Sequence, residues 1–142
     1  MQFIVWSDFF STGVNYIDRQ HKRLIDIANE FHSSVKNNAN KSTMFSILNN
    51  LVSYAEEHFT DEEAVMQKAG VPEEHFNYHK ELHEKLTLSV FELNAELEKG
   101  ETKTLNEIEN FLNEWLIKHI LEEDKKLVPY SAKIRNYNPK MS

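Results

Sequence analysis

His58 and Glu62 stand four residues apart in this chain, and so do His79 and His83. On a helix such pairs share a face, about 6 Å apart along the axis. Both pairs fall on stripes that otherwise read as core. His58 and Glu62 continue the run Leu48, Leu51, Ala55 and precede Met66 and Ala69. His79 and His83 lie between Phe76 and Leu86, Val90, Leu93 and Leu97. His119 follows Leu105, Ile108, Leu112, Trp115 and Leu116 in the same way. An ionised glutamate on a buried stripe is costly unless something compensates it. One core histidine usually finds a hydrogen bond and nothing more. Several of them converging from three or four helices point to a metal centre instead. The chain has no cysteine, so the ligands must be imidazole and carboxylate. Disulfides, thiolate nucleophiles, zinc ribbons and ordinary iron–sulfur clusters are excluded on the same ground. A zinc protease is not indicated: Lys80 follows His79, and Glu81 points largely away from the histidine face, so the general base is missing.

Three further histidines need placing. His21 lies in the segment Ile17 to His21 of an amphipathic stretch. His32, three turns further on, reads as a packed or hydrogen-bonded histidine. His75, one turn before His79, also reads as a non-ligand. A second ambiguity concerns the carboxylate that goes with His119. Spacing selects Glu123, four residues on, whereas Asp124 is rotated by about 140° on an ideal helix.

Four helical patterns with short breaks must position these groups. The first begins near Asn15, a candidate cap with Asp18 three residues on, and ends in the polar run 37–40. It carries Leu24, Ile25, Ala28, Phe31 and Val35. The second follows Ser42 or Thr43 and stops at Gly70, a residue suited to the left-handed C-terminal position. Pro72 opens the third, with Glu73 and Glu74 well placed for the helix dipole. It ends at Gly100. Thr104 and Glu107 form a capping-box pattern for the fourth, whose far end Pro129 limits. The spacing predicts an all-α, antiparallel, up-down-up-down four-helix bundle with an N-terminal arm. The bundle occupies 1–130, with the arm at 1–14. A polar tail, 131–142, is expected to be less ordered.

Bulk properties agree with one domain: 142 residues, 40% hydrophobic and 27% charged, with net charge -7. The acidic balance argues against nucleic acid and against an anionic membrane surface. No stretch reaches the ~20 apolar residues of a membrane span. The opening MQFIVWSDFF lacks a basic n-region and is interrupted by Asp8. It reads as folded sequence and not as a signal peptide, which makes the cytoplasm the expected location.

The full pattern resembles that of the hemerythrins, specifically the single-domain bacterial hemerythrins (bacteriohemerythrins). The residues that carry the likeness are His21, His58 with Glu62, His79 with His83, and His119 with Asp124. Trp6, Gly13, Val14, Ile17, Asp18 and Gln20 are similar to the family's N-terminal arm and first ligand motif. His58-Phe59 with Glu62-Glu63, and Trp115-Leu116 with His119, are similar to the second and fourth helix motifs. The likeness runs from about residue 3 to 130, in order.

The resemblance implies two iron ions, Fe2+ or Fe3+, joined by a bridging oxo or hydroxo group. It selects Asp124 over Glu123, and so predicts a π-bulge or distorted turn near 119 to 124. It also implies that His79, His83 and His119 serve one iron and His21 and His58 the other, with Glu62 and Asp124 bridging. The first iron is then six-coordinate and the second five-coordinate, with one open position for dioxygen. Reversible dioxygen binding for storage, transport or delivery follows, without enzymatic turnover. Leu116 matches the family's position over the gas site, and Trp115, Phe59, Ile25 and Leu24 are candidate walls. Leu127 departs from a tyrosine common in the family, which leaves Tyr54 and Tyr130 as candidate replacements. Two alternatives are a di-iron redox enzyme acting on peroxide or nitric oxide and a module that senses oxygen or iron. The paired Glu-x-x-His motifs of ferritin-like oxidases are missing. No protein partner is indicated.

Overall fold

The computed structural model describes residues 3–101 and 103–141. The arm carries a short 3-10 turn, Asp8–Phe10. Three long helices follow: α1 (Asn15–Lys36), α2 (Lys41–Ala69) and α3 (Glu73–Glu98). The fourth is composite. It begins as α4 (Leu105–Leu112), widens into a π-helical stretch (Asn113–Leu121), and closes with the α-turn α5 (Glu122–Asp124). A 3-10 segment, Lys125–Tyr130, leads into the C-terminal residues. The four helices pack antiparallel. α1 packs on α2 and α4, and α3 packs on α2 and the π-helical stretch.

The helix ends follow local chemistry. Asn40 caps α2 by accepting a hydrogen bond from the Thr43 backbone N–H at 2.8 Å, so the helix starts earlier than Ser42 or Thr43. Gly70 ends α2 at φ 76°, the left-handed region where a Cβ would be strained. Thr104 caps α4 by accepting from the Glu107 N–H at 3.1 Å. Asn15 is the first residue of α1 and not its side-chain cap. Its backbone N–H donates to the Arg135 carbonyl at 2.9 Å. Asp18 turns back to the arm and accepts from the Thr12 N–H, the Thr12 hydroxyl and the Ser11 hydroxyl.

The apolar stripes bury as two clusters. The larger gathers Leu24, Phe31, Leu51, Leu86, Ile108, Leu112 and Leu116 among others. The smaller gathers Val14, Ile17, Val65, Met66, Leu127 and Ile134. The split has a cause in three of the four helices. His21 falls between Ile17 and Leu24, Glu62 between Phe59 and Val65, and Asp124 between Leu121 and Leu127. A polar layer thus crosses the bundle between two dry ones.

The C-terminal residues take up local turns and pack back on the bundle. Residues 132–134 and 139–141 form 3-10 turns, and Ile134 is buried in the smaller cluster. Tyr137 packs against the same cluster, with the Lys68 ammonium over its ring. Among the described residues, no helix is long and apolar enough to cross a membrane.

Candidate metal centre

Four imidazoles enter the polar layer through the same nitrogen. His21 Nε2 lies 2.7 Å from Asp124 Oδ2, and His58 Nε2 lies 3.1 Å from that oxygen. These two nitrogens are only 3.2 Å apart. His79 Nε2 meets Asp124 Oδ1 at 2.8 Å and Glu62 Oε1 at 2.7 Å. His83 Nε2 is 3.0 Å from Glu62 Oε1. The other glutamate oxygen, Oε2, faces His58 Nε2 at 3.7 Å and has no hydrogen-bond partner. All six side chains are buried.

Two groups of potential ligands result: His21 with His58, and His79 with His83, each completed by Glu62 and Asp124. Each carboxylate presents one oxygen to each group. A buried carboxylate can accept hydrogen bonds on both oxygens, but it gains nothing from a nitrogen pair 3.2 Å apart unless a proton or a cation stands between them. The donor set and the unpartnered Glu62 oxygen therefore fit two cations sharing two carboxylate bridges.

Without such cations the layer must hold protons. Burial works against the charged form of His79, yet its hydrogen bonds to Asp124 and Glu62 raise it to about 11. His83, also opposed by burial, is raised to about 9 by Glu62 and Glu63. His21 is raised in spite of its burial, through Asp124. Burial pushes Asp124 up, but Glu62, His21, His58 and His79 together hold it well below the ordinary carboxylate range.

Two imidazoles are held from behind. His83 Nδ1 lies 2.9 Å from Glu63 Oε2 and stacks on Phe59, with ring centroids 4.2 Å apart. His58 Nδ1 lies 2.8 Å from Gln20 Oε1. The Gln20 amide donates to Asp61 Oδ2 at 2.9 Å, an oxygen that the Tyr16 hydroxyl also approaches at 2.9 Å. Such partners fix the ring orientation and tautomer of a ligating histidine. Sequence reasoning did not single out Asp61, Tyr16 or Glu63 for this role. Asp61 and Glu63 flank Glu62, and that adjacency was the available signal.

His119 is not brought to the layer. Its ring is 45% exposed and its nearest acidic neighbour is Glu114, at 3.8 Å. The cause lies in the helix around it. Hydrogen bonds spanning five residues take more residues per turn than the α-helical 3.6. The buried positions of the fourth helix accordingly run 108, 112, 115, 116, 120, 121 and 124. An α-helix would have turned 119 and 123 inward. The wide turns pass the inward face to Ile120 and Leu121, and then to Asp124. Glu123 pairs with Lys126 at 2.7 Å at the edge of the bundle. The distortion expected near 119 to 124 thus lies mostly before it.

The remaining expected positions are also placed. Leu116, Trp115, Phe59, Ile25 and Leu24 are buried in the larger cluster, which borders the layer on one side. The Trp115 indole N–H donates to the Leu86 carbonyl at 2.8 Å. His32 pairs with Glu109 at 2.8 Å and stacks on Phe3. His75 lies one turn outside the layer, between His79 and Tyr130. Leu127 is buried in the smaller cluster, Tyr130 packs at that cluster's edge and Tyr54 against the larger one.

Comparison with known proteins follows the same lines. The family described as hemerythrin HHE cation binding domain matches residues 12–131. A bacteriohemerythrin of Methylococcus capsulatus is 32% identical over 130 residues, 91% of this chain and 97% of that protein. One from Pseudomonas aeruginosa is 32% identical over 124 residues, 87% of this chain and 78% of that protein. The crystal structure of a wild-type hemerythrin superposes with a TM-score of 0.79 at 32% identity, covering 91% of this chain and 98% of that one. A leucine-to-alanine mutant of hemerythrin gives 0.81 at the same identity.

Proposed function

Since the chain belongs to the hemerythrin family, a cation-binding family, we propose that it holds two iron ions in the polar layer and binds dioxygen there reversibly. The observation that carries this reading is the pair of buried carboxylates, each facing two imidazole pairs with its two oxygens. His21 and His58 would hold one ion and His79 and His83 the other, with Glu62 and Asp124 shared. We assign His119 to the second ion by its resemblance to the family motif, against its place at the surface.

Bound iron supplies the electrons that dioxygen needs in order to be held. The chain's own residues do the rest. Two carboxylates offset part of the charge of two divalent ions, which lowers the cost of burying them. Five imidazoles against two carboxylates leave few sites for bound water. Glu63 and Gln20 hold His83 and His58 with Nε2 turned inward. Leu24, Ile25, Leu116 and Trp115 form a dry side that keeps solvent from the gas site. Expelling water there favours release of the gas unchanged over hydrolytic side reactions.

An oxygen electrode separates binding from turnover. Ferrous protein should take up one dioxygen per chain and then stop, even with excess reductant present. Continued consumption of oxygen, peroxide or nitric oxide would instead establish the enzymatic alternative.

A further inference from the structure

We propose that Asp61 acts through Gln20 as a positioning residue that decides which nitrogen of His58 is offered to the metal layer. The inference rests on the reading of His58 as a metal ligand. A carboxylate only accepts hydrogen bonds. The Gln20 group that faces Asp61 Oδ2 at 2.9 Å is therefore its NH2. Its carbonyl oxygen is then the group 2.8 Å from His58 Nδ1, so that nitrogen must carry a proton and donate. With Nδ1 donating to Gln20, Nε2 is the nitrogen left to take a metal once its own proton is displaced, and it points at His21, Glu62 and Asp124.

A glutamine alone would not set this direction. Its amide can flip, presenting NH2 to His58 and forcing the proton onto Nε2, where it would block a metal. Asp61 removes the choice, and its own position is fixed. Oδ2 also accepts from the Tyr16 hydroxyl at 2.9 Å, while Oδ1 faces Lys140 of the C-terminal segment at 3.3 Å. Gln20, His58 and Asp61 are all buried, so bulk water does not compete for these bonds. His83 needs no relay, because Glu63 accepts from its Nδ1 directly.

The test compares Asp61→Leu, which removes the acceptor, with Asp61→Asn, which keeps one carbonyl oxygen for Gln20. Two readouts apply. Long-range 1H–15N correlation on the metal-free protein reports whether His58 Nδ1 carries a proton. Competition with a chelator reports retention of cobalt(II). In wild type the Nδ1 proton should be present. Asp61→Leu should lose it in a large fraction of molecules and retain cobalt 10–100-fold less well, as loss of a supporting partner typically does. Asp61→Asn should restore the proton and most of the retention. Should Asp61→Leu fail to fold, Gln20→Leu should give the same loss. An unchanged Nδ1 proton in the leucine variants, or equal loss in Asp61→Leu and Asp61→Asn, would overturn the proposal. Wild-type protein that retains no cobalt would count against the metal reading, whereas the proton on His58, read without metal, judges the relay by itself.

Discussion

Glu62 and Asp124 each divide their two oxygens between two pairs of imidazoles, and most of the chemistry follows from that division. Asp124→Asn leaves one oxygen and introduces two N–H donors among imidazole nitrogens. Metal analysis should find both ions lost or strongly depleted, with Glu62→Gln behaving alike. Acid–base behaviour supplies a second prediction at this scale. In chelator-stripped protein, His79 and His83 titrate near 11 and 9 against an ordinary 6.5. Their contribution to stability is complete below 6.5 and is lost as pH rises through about 9 and then 11. Asp124, held below its ordinary 3.8, stabilises above that value and ceases to do so as pH falls further. Thermal unfolding in chelator should therefore peak between about pH 4 and 6.5 and weaken above it. Metal must displace those protons, so its retention should rise toward pH 9. His58, Glu62, His79 and His83 were legible in the sequence because i,i+4 spacing is a helix face. The bond between Asp61 and Gln20 was not, because it joins two helices and no periodicity records it.

The fourth helix is where regular periodicity fails. Spacing read as ideal α-helix selects Glu123, but the π-helical stretch Asn113–Leu121 delivers Asp124 instead. No local residue signals that widening: the segment contains neither Gly nor Pro, and its composition suits an α-helix. The cap at Thr104 and the stop at Gly70, by contrast, were legible because capping is a matter of one or two residues. His119→Ala tests the winding. We expect loss of about one ion per chain, measured by metal analysis. Full retention of both would mean that the outward position of His119 is its working one. Leu116→Phe tests the dry side of the same helix. Adding volume to a fully buried position should leave iron content near wild type and slow or weaken gas uptake, at a stability cost of about 1–3 kcal/mol.

At the scale of the molecule, a polar layer separates two apolar clusters, and the C-terminal segment closes the smaller one. That closure was not legible in the sequence, since residues 131–142 are mostly polar and, among those described, the one buried apolar side chain is Ile134. Ile134→Ala should cost about 2 kcal/mol or more, from its lost burial and the cavity left behind, as read by denaturant unfolding. Gly13, at φ 85°, sits so close to Ser131 that a Cβ would collide with its side chain, which ties arm and C-terminal segment together. The central claim concerns what the layer holds and does. The most direct measurement is iron content together with optical spectra of one sample under nitrogen, then air, then nitrogen again. Two irons per chain and an absorption band that grows in air and fades under nitrogen are the predicted result. Protein without iron, zinc in its place, or a spectrum that air changes permanently would contradict it.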